Sequence, residues 1–123
     1  MSTEARTAHV NVFAIRSIEV DEPDWCAGHP DSRAQFKADV THFGPEHIIP
    51  GPDGGPLLTV MFAQSPYSER STTAVELHVE VGDIDGSRTP EEVDQLADAL
   101  VAAAGQLRTF GRELARILAG GGV

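Results

Sequence analysis

Residues 89–118 constrain this chain more than any other stretch. Thr89 suits a helix N-cap, Pro90 the first helical position, and Glu92 completes a capping box. Val93, Leu96, Leu100, Ala103, Leu107, Phe110, Leu114 and Ile117 then recur in a 3-4 rhythm that puts them on one helical face. Acids crowd the start and Arg108, Arg112 and Arg116 the end, matching the helix macrodipole. A rod of this length measures about 45 Å, whereas four strands spaced about 4.8 Å apart make a sheet less than half as wide. One small sheet cannot bury the whole stripe. Either the helix breaks at Gly105 or Gly111, or its excess face meets a second copy. The favoured expectation is a homodimer through Leu100, Leu107, Phe110 and Leu114.

The remaining elements read as β. HVNVFAIRSIEV (9–20) predicts a first strand with apolar residues on both faces, central or broken by a bulge. SRAQFKADV (32–40) has the makings of two helical turns. A short strand follows Pro45 and ends at Pro50, and PGPDGGP (50–56) is a turn cluster. PLLTVMFAQ (56–64) is a strand. In AVELHVEVGD (74–83), Val75, Leu77, Val79 and Val81 alternate with Glu76, His78 and Glu80, which predicts a half-buried antiparallel strand with one wet face. The expected fold is α+β: a small antiparallel sheet of three to four strands, a metal-pinned loop, and one long C-terminal helix packed on the sheet. A flexible tail (1–8), one domain (9–119) with its metal-binding loop at 25–47, and a second tail (120–123) complete the organisation.

A chain with 41% hydrophobic and only 6% aromatic residues builds a modest core and benefits from a staple. Cys26 is the only cysteine, so an internal disulfide is excluded and a metal or a partner subunit remains. Nineteen acidic against nine basic side chains, a formal net charge of −10, repel phosphate backbones and anionic lipid. Nucleic acid is therefore not an expected partner. The N-terminus lacks the pattern of a signal peptide, and no apolar run approaches the roughly 18–20 residues of a membrane span. The expectation is a cytoplasmic protein.

The staple is written in residues 25–47, which contain the lone Trp, the lone Cys and three of the five His. Their spacing is Cys26-x2-His29-x12-His42-x4-His47. Thiolate and imidazole donors suit zinc rather than calcium or magnesium, which take oxygens. Gly28 and Pro30 favour a tight turn that lets Cys26 and His29 chelate together. The expectation is one structural Zn2+ per chain held by Cys26, His29, His42 and His47. His42 is preferred over His47 as third ligand, with Asp31, Asp39 or a water as other sources of the fourth. The spacing mimics a zinc finger, but Gly44 and Pro45 between the last two His exclude the finger's helix. Trp25 is expected to be buried, either shielding the thiolate or as ordinary core. His9 and His78 read as surface residues.

Trp25-Cys26-x2-His29, His42-x-Gly44, the hydrophobic strands and TPEEVDQLADALVAAA (89–104) together resemble an uncharacterised family of small actinobacterial proteins found mainly in Streptomyces relatives. The resemblance covers roughly residues 22 to 106. It implies functional roles for Cys26, His29 and His42 and a bacterial cytoplasmic setting, and it brings no activity with it.

Three functions of different classes follow. The leading one is a non-enzymatic, zinc-stabilised, dimeric module that binds or regulates a protein. The second is a zinc hydrolase or deaminase in which Cys26, His29 and His42 leave one position to water, with Glu46 as the base at hand. It lacks the H-E-x-x-H and H-x-E signatures of such enzymes. The third is an acidic mimic of nucleic acid, resting on charge alone.

Overall fold

The computed structural model describes residues 5–11, 17–29, 37–69 and 72–120. Its described elements are β1 (Arg6–Asn11), β2 (Ser17–Glu22), a 3-10 turn (Lys37–Asp39), β3 (His42–Phe43), β4 (His47–Pro50), β5 (Pro56–Gln64), β6 (Glu76–Val81) and α1 (Pro90–Leu118). The architecture is α+β: two small antiparallel sheets and one C-terminal helix.

The expected single strand over 9–20 is two strands. β1 pairs antiparallel with β2, Ala8 opposite Val20 and Val10 opposite Ile18. Of the apolar residues in this stretch Val10 lies on β1 and Val20 on β2, while residues 12–16 fall outside the described ones. Val10 and Val20 pack with Val40 in one core, and Ala8 and Tyr67 cover it. β1 begins at Arg6, inside the stretch read as a tail. Of the two helical turns expected over 32–40, the described residues contain only the 3-10 turn at Lys37–Asp39; residues 30–36 lie outside them.

β5 is the spine of the larger sheet. β3 and β4 pair along one of its edges and β6 along the other, all antiparallel. The turn cluster folds as its residues dictate: Gly51 N–H donates to the Gly55 carbonyl at 2.6 Å, and Gly54 takes φ +88°, a conformation glycine adopts without steric cost. Ile49, Leu57, Val60 and Ala103 form the second core, with Leu58, Leu77, Ile84, Leu96, Leu107 and Phe110 packed around it.

α1 runs unbroken through Gly105 and Gly111 for 29 residues, and its capping box forms as the sequence predicts. Its only buried residue is Ala103. Of the four residues expected to meet a second copy, Leu107 and Phe110 pack against the chain's own core, whereas Leu100 is 47% exposed. β6 is wetter than its alternation suggests, because Val79 (44%) and Val81 (68%) stay open to solvent on the very face that carries α1. Among the described residues no helix is long and apolar enough to cross a membrane.

Candidate metal centre

The two sheets meet at the segment after β2, and the site is built there. β1 and β2 pair so that Arg6 stands opposite Glu22 at the end of the hairpin. Arg6 Nη2 holds Glu22 Oε2 at 3.0 Å, and its Nη1 donates to the Asp24 carbonyl at 2.9 Å. One guanidinium thereby fixes both the carboxylate and the chain leaving β2. The backbone then turns, Cys26 N–H donating to the Pro23 carbonyl at 3.0 Å, and docks on β3 through Ala27 N–H to the Phe43 carbonyl at 2.7 Å. The approach is close at Gly44, where a Cβ would stand 3.1 Å from the Trp25 carbonyl oxygen.

Gly28 makes the next turn possible. Its φ of +96° is in the left-handed region that favours glycine, and its N–H donates to Cys26 Sγ at 3.4 Å. This turn swings His29 back onto Cys26, with Nε2 3.8 Å from Sγ. β3 supplies His42 from the other sheet, its Nδ1 3.2 Å from His29 Nε2. Glu22 Oε1 also lies 3.2 Å from His29 Nε2. The four donor atoms, from Glu22, Cys26, His29 and His42, all lie within 4.8 Å of one another. A tetrahedral zinc with bonds of about 2.0–2.3 Å has donor-to-donor edges of about 3.3–3.6 Å, close to the three separations above.

The cluster is buried. Cys26 is 6% exposed, His42 1% and Glu22 9%. Burial pushes the Cys26 thiol pKa up, against the lowering effect of the Gly28 N–H. Burial, then the neighbouring His29, pushes the His42 pKa down. Glu22 Oε1 is buried and makes no hydrogen bond, despite its nearness to His29. An orphaned carboxylate oxygen inside a protein costs several kcal/mol, yet Arg6 holds this one in place. A metal cation held by these donors would offset that cost. Thiolate and carboxylate would balance the two charges of a divalent ion, leaving a neutral buried centre.

The structure brings three of the four sequence-predicted ligands together and sets the fourth apart. His47 is an exposed residue of β4, its ring centre 5.0 Å from that of Phe110 and tilted 50° to it. His42 and His47 both pair along the same edge of β5, but at Gln64 and Val60, several residues apart. Asp39 is exposed on the 3-10 turn and outside the cluster, and Asp31 falls outside the described residues. Glu46, weighed as a general base, is exposed as well. His9 and His78 are exposed on their strands.

Glu22 is the donor that sequence reasoning missed. It lies upstream of the Cys-His stretch, in a run of acids (Glu19, Asp21, Glu22, Asp24) where nothing marks one as special. Strand parity was the available signal. Glu22 is in phase with Val20, which is buried, while Glu19 and Asp21 face out. Trp25 is half-buried, its ring edge-on to His42 at 6.5 Å and to Phe62 at 6.4 Å. Phe62 reaches Phe110 at 6.4 Å, so aromatic contacts run from the donor cluster to α1.

Comparison with curated proteins finds no match, and none is found among solved structures. The family model described as a domain of unknown function, DUF6907, matches residues 4–116, and the chain belongs to that family.

Proposed function

We propose that the chain is a non-enzymatic module pinned by one structural zinc ion, bound through Glu22, Cys26, His29 and His42, that serves by presenting a surface to a protein. One observation carries this reading: four donors of the right chemistry, three of them buried and His29 half-buried, lie within 4.8 Å of one another. Zinc suits the thiolate and imidazoles better than an oxygen-seeking ion does. A closed set of four protein donors is the pattern of a structural site, whereas a catalytic one keeps a position open for water. The ion would tie the end of the hairpin to the larger sheet, supplying the cohesion that a core poor in aromatics lacks.

Metal analysis of protein purified without a His tag tests the reading. About one zinc per chain is expected; a metal-free, fully folded protein contradicts it. Arg6→Ala should weaken zinc binding by about 10–100-fold in competition with a chromophoric chelator, because Arg6 orients Glu22 from the outer shell. An unchanged affinity would remove that role.

Proton competition gives a further expected result. The metal takes Cys26 as thiolate, and its raised pKa keeps the free site protonated at neutral pH. Zinc affinity should therefore rise about tenfold per pH unit between about pH 7 and 8 from this proton alone. His42, with its pKa held below the ordinary 6.5, adds no competing proton there. Stability contributed by the ion is accordingly present at the alkaline end of that window and declines as pH falls. A chelator titration that shows no pH dependence would contradict the thiolate as ligand.

A further inference from the structure

We propose that β6 pairs with β6 of a second copy across a two-fold axis at Val79, joining the two larger sheets edge to edge. Among the described residues β6 pairs only with β5, and none of them forms a strand along its other edge. The direction of its backbone groups follows from one bond. Gly82 N–H donates to the Leu57 carbonyl at 2.8 Å, and in an antiparallel ladder inward-bonded residues alternate with outward-pointing ones. His78 and Glu80 share the phase of Gly82 and bond to β5. Leu77, Val79 and Val81 point their N–H and C=O groups out of the sheet.

These three outward residues form a self-complementary set. With Val79 opposite itself, Leu77 meets Val81 of the second copy, and the three pairs satisfy the outward backbone groups of both strands. Val79 and Val81, exposed at 44% and 68%, gain apolar neighbours on the helix face. On the opposite face His78, 47% exposed at its side chain, meets Glu80, 56% exposed, and the pairing repeats across the axis. Glu76 meets Gly82, so no two acids oppose each other, although each copy carries a net charge of −10. An imidazole opposite a carboxylate can donate a hydrogen bond to it, and apolar side chains opposite apolar ones pack together; such cross-strand pairs stabilise adjacent strands. An apolar free edge also needs covering, since unprotected it templates uncontrolled pairing. A strand of unrelated sequence would match this register only by chance, whereas the chain's own β6 matches it by symmetry.

Sedimentation equilibrium combined with amide hydrogen exchange tests the pairing. The wild-type chain should sediment as a dimer at high micromolar concentration. The amides of Leu77, Val79 and Val81 should exchange as slowly as those of His78 and Glu80. On dilution to the monomer the three outward amides should speed up by about 100-fold or more while the inward ones stay slow. Val79→Lys sets two ammonium groups against each other at the axis and should give a monomer with unchanged zinc content. A wild-type chain that is monomeric throughout overturns the proposal. So does a dimer whose outward amides exchange freely, or a folded Val79→Lys variant that still pairs. Should that variant fail to fold, the exchange pattern of the wild-type chain decides alone.

Discussion

Cys26→Ser and His42→Ala should each lower the melting temperature by about 10–20 °C, and a strong chelator should do the same to the unmutated protein. An ion that binds only the folded chain stabilises it by about 1.4 kcal/mol for every tenfold excess of free metal over its dissociation constant. A thousandfold excess is worth about 4 kcal/mol, which for a domain of this size is about 15 °C. Removing His42 leaves a hole as well, since its ring is 1% exposed and packs against Trp25 and His29. Removing Cys26 unties the turn that Gly28 closes on its sulfur. Re-added zinc should restore the chelated wild type and leave both variants depressed. The measurement is thermal unfolding with and without zinc. Variants that melt with the wild type would show that the cluster holds the fold together without an ion.

Gly82→Ala should cost about 3 kcal/mol, and so lower the melting temperature by about 10 °C or more, through an unrelated mechanism. Gly82 follows β6 and lies directly against the start of β5. A Cβ there would collide with the Pro56 carbonyl oxygen and stand 3.1 Å from that of Leu57. Both are backbone atoms and cannot swing aside, so the hairpin edge must open and lose the Gly82 to Leu57 bond. Gly105→Ala and Gly111→Ala make the contrast. At either position a Cβ meets open space, and alanine should stabilise α1 by about 0.5–1 kcal/mol. Denaturant melts of the three variants separate the cases. A neutral Gly82→Ala would mean that β5 and β6 are not packed as closely as the structure has them.

The parts of this fold that sequence reveals are those whose signal is local. β5 occupies residues 56–64 as its apolar run predicts, and α1 starts at its capping box and ends before Ala-Gly-Gly-Gly. The β1–β2 hairpin was harder to see. The sequence between the two strands, residues 12–16, holds no Gly, Pro or Asn-Gly, so two short strands read as one long one. β6 shows the limit of alternation, which marks the side of a strand that can be buried and not whether anything covers it. At the site, Cys26, His29 and His42 stand out because their residue types are rare and close together. Glu22 does not, because carboxylates are common, and its role depends on Arg6 across a hairpin that the sequence conceals. His47 looked equivalent to His42 by composition, yet the chain passes through Gly44 and Pro45 between them and continues along the edge of β5, carrying His47 toward Phe110.

The most direct test of the metal centre is zinc-edge X-ray absorption on protein purified without a His tag. The expected first shell is one sulfur at about 2.3 Å and three nitrogen or oxygen atoms at about 2.0–2.2 Å, the sulfur vanishing in Cys26→Ser. A shell without sulfur, or a preparation without stoichiometric zinc, would contradict it.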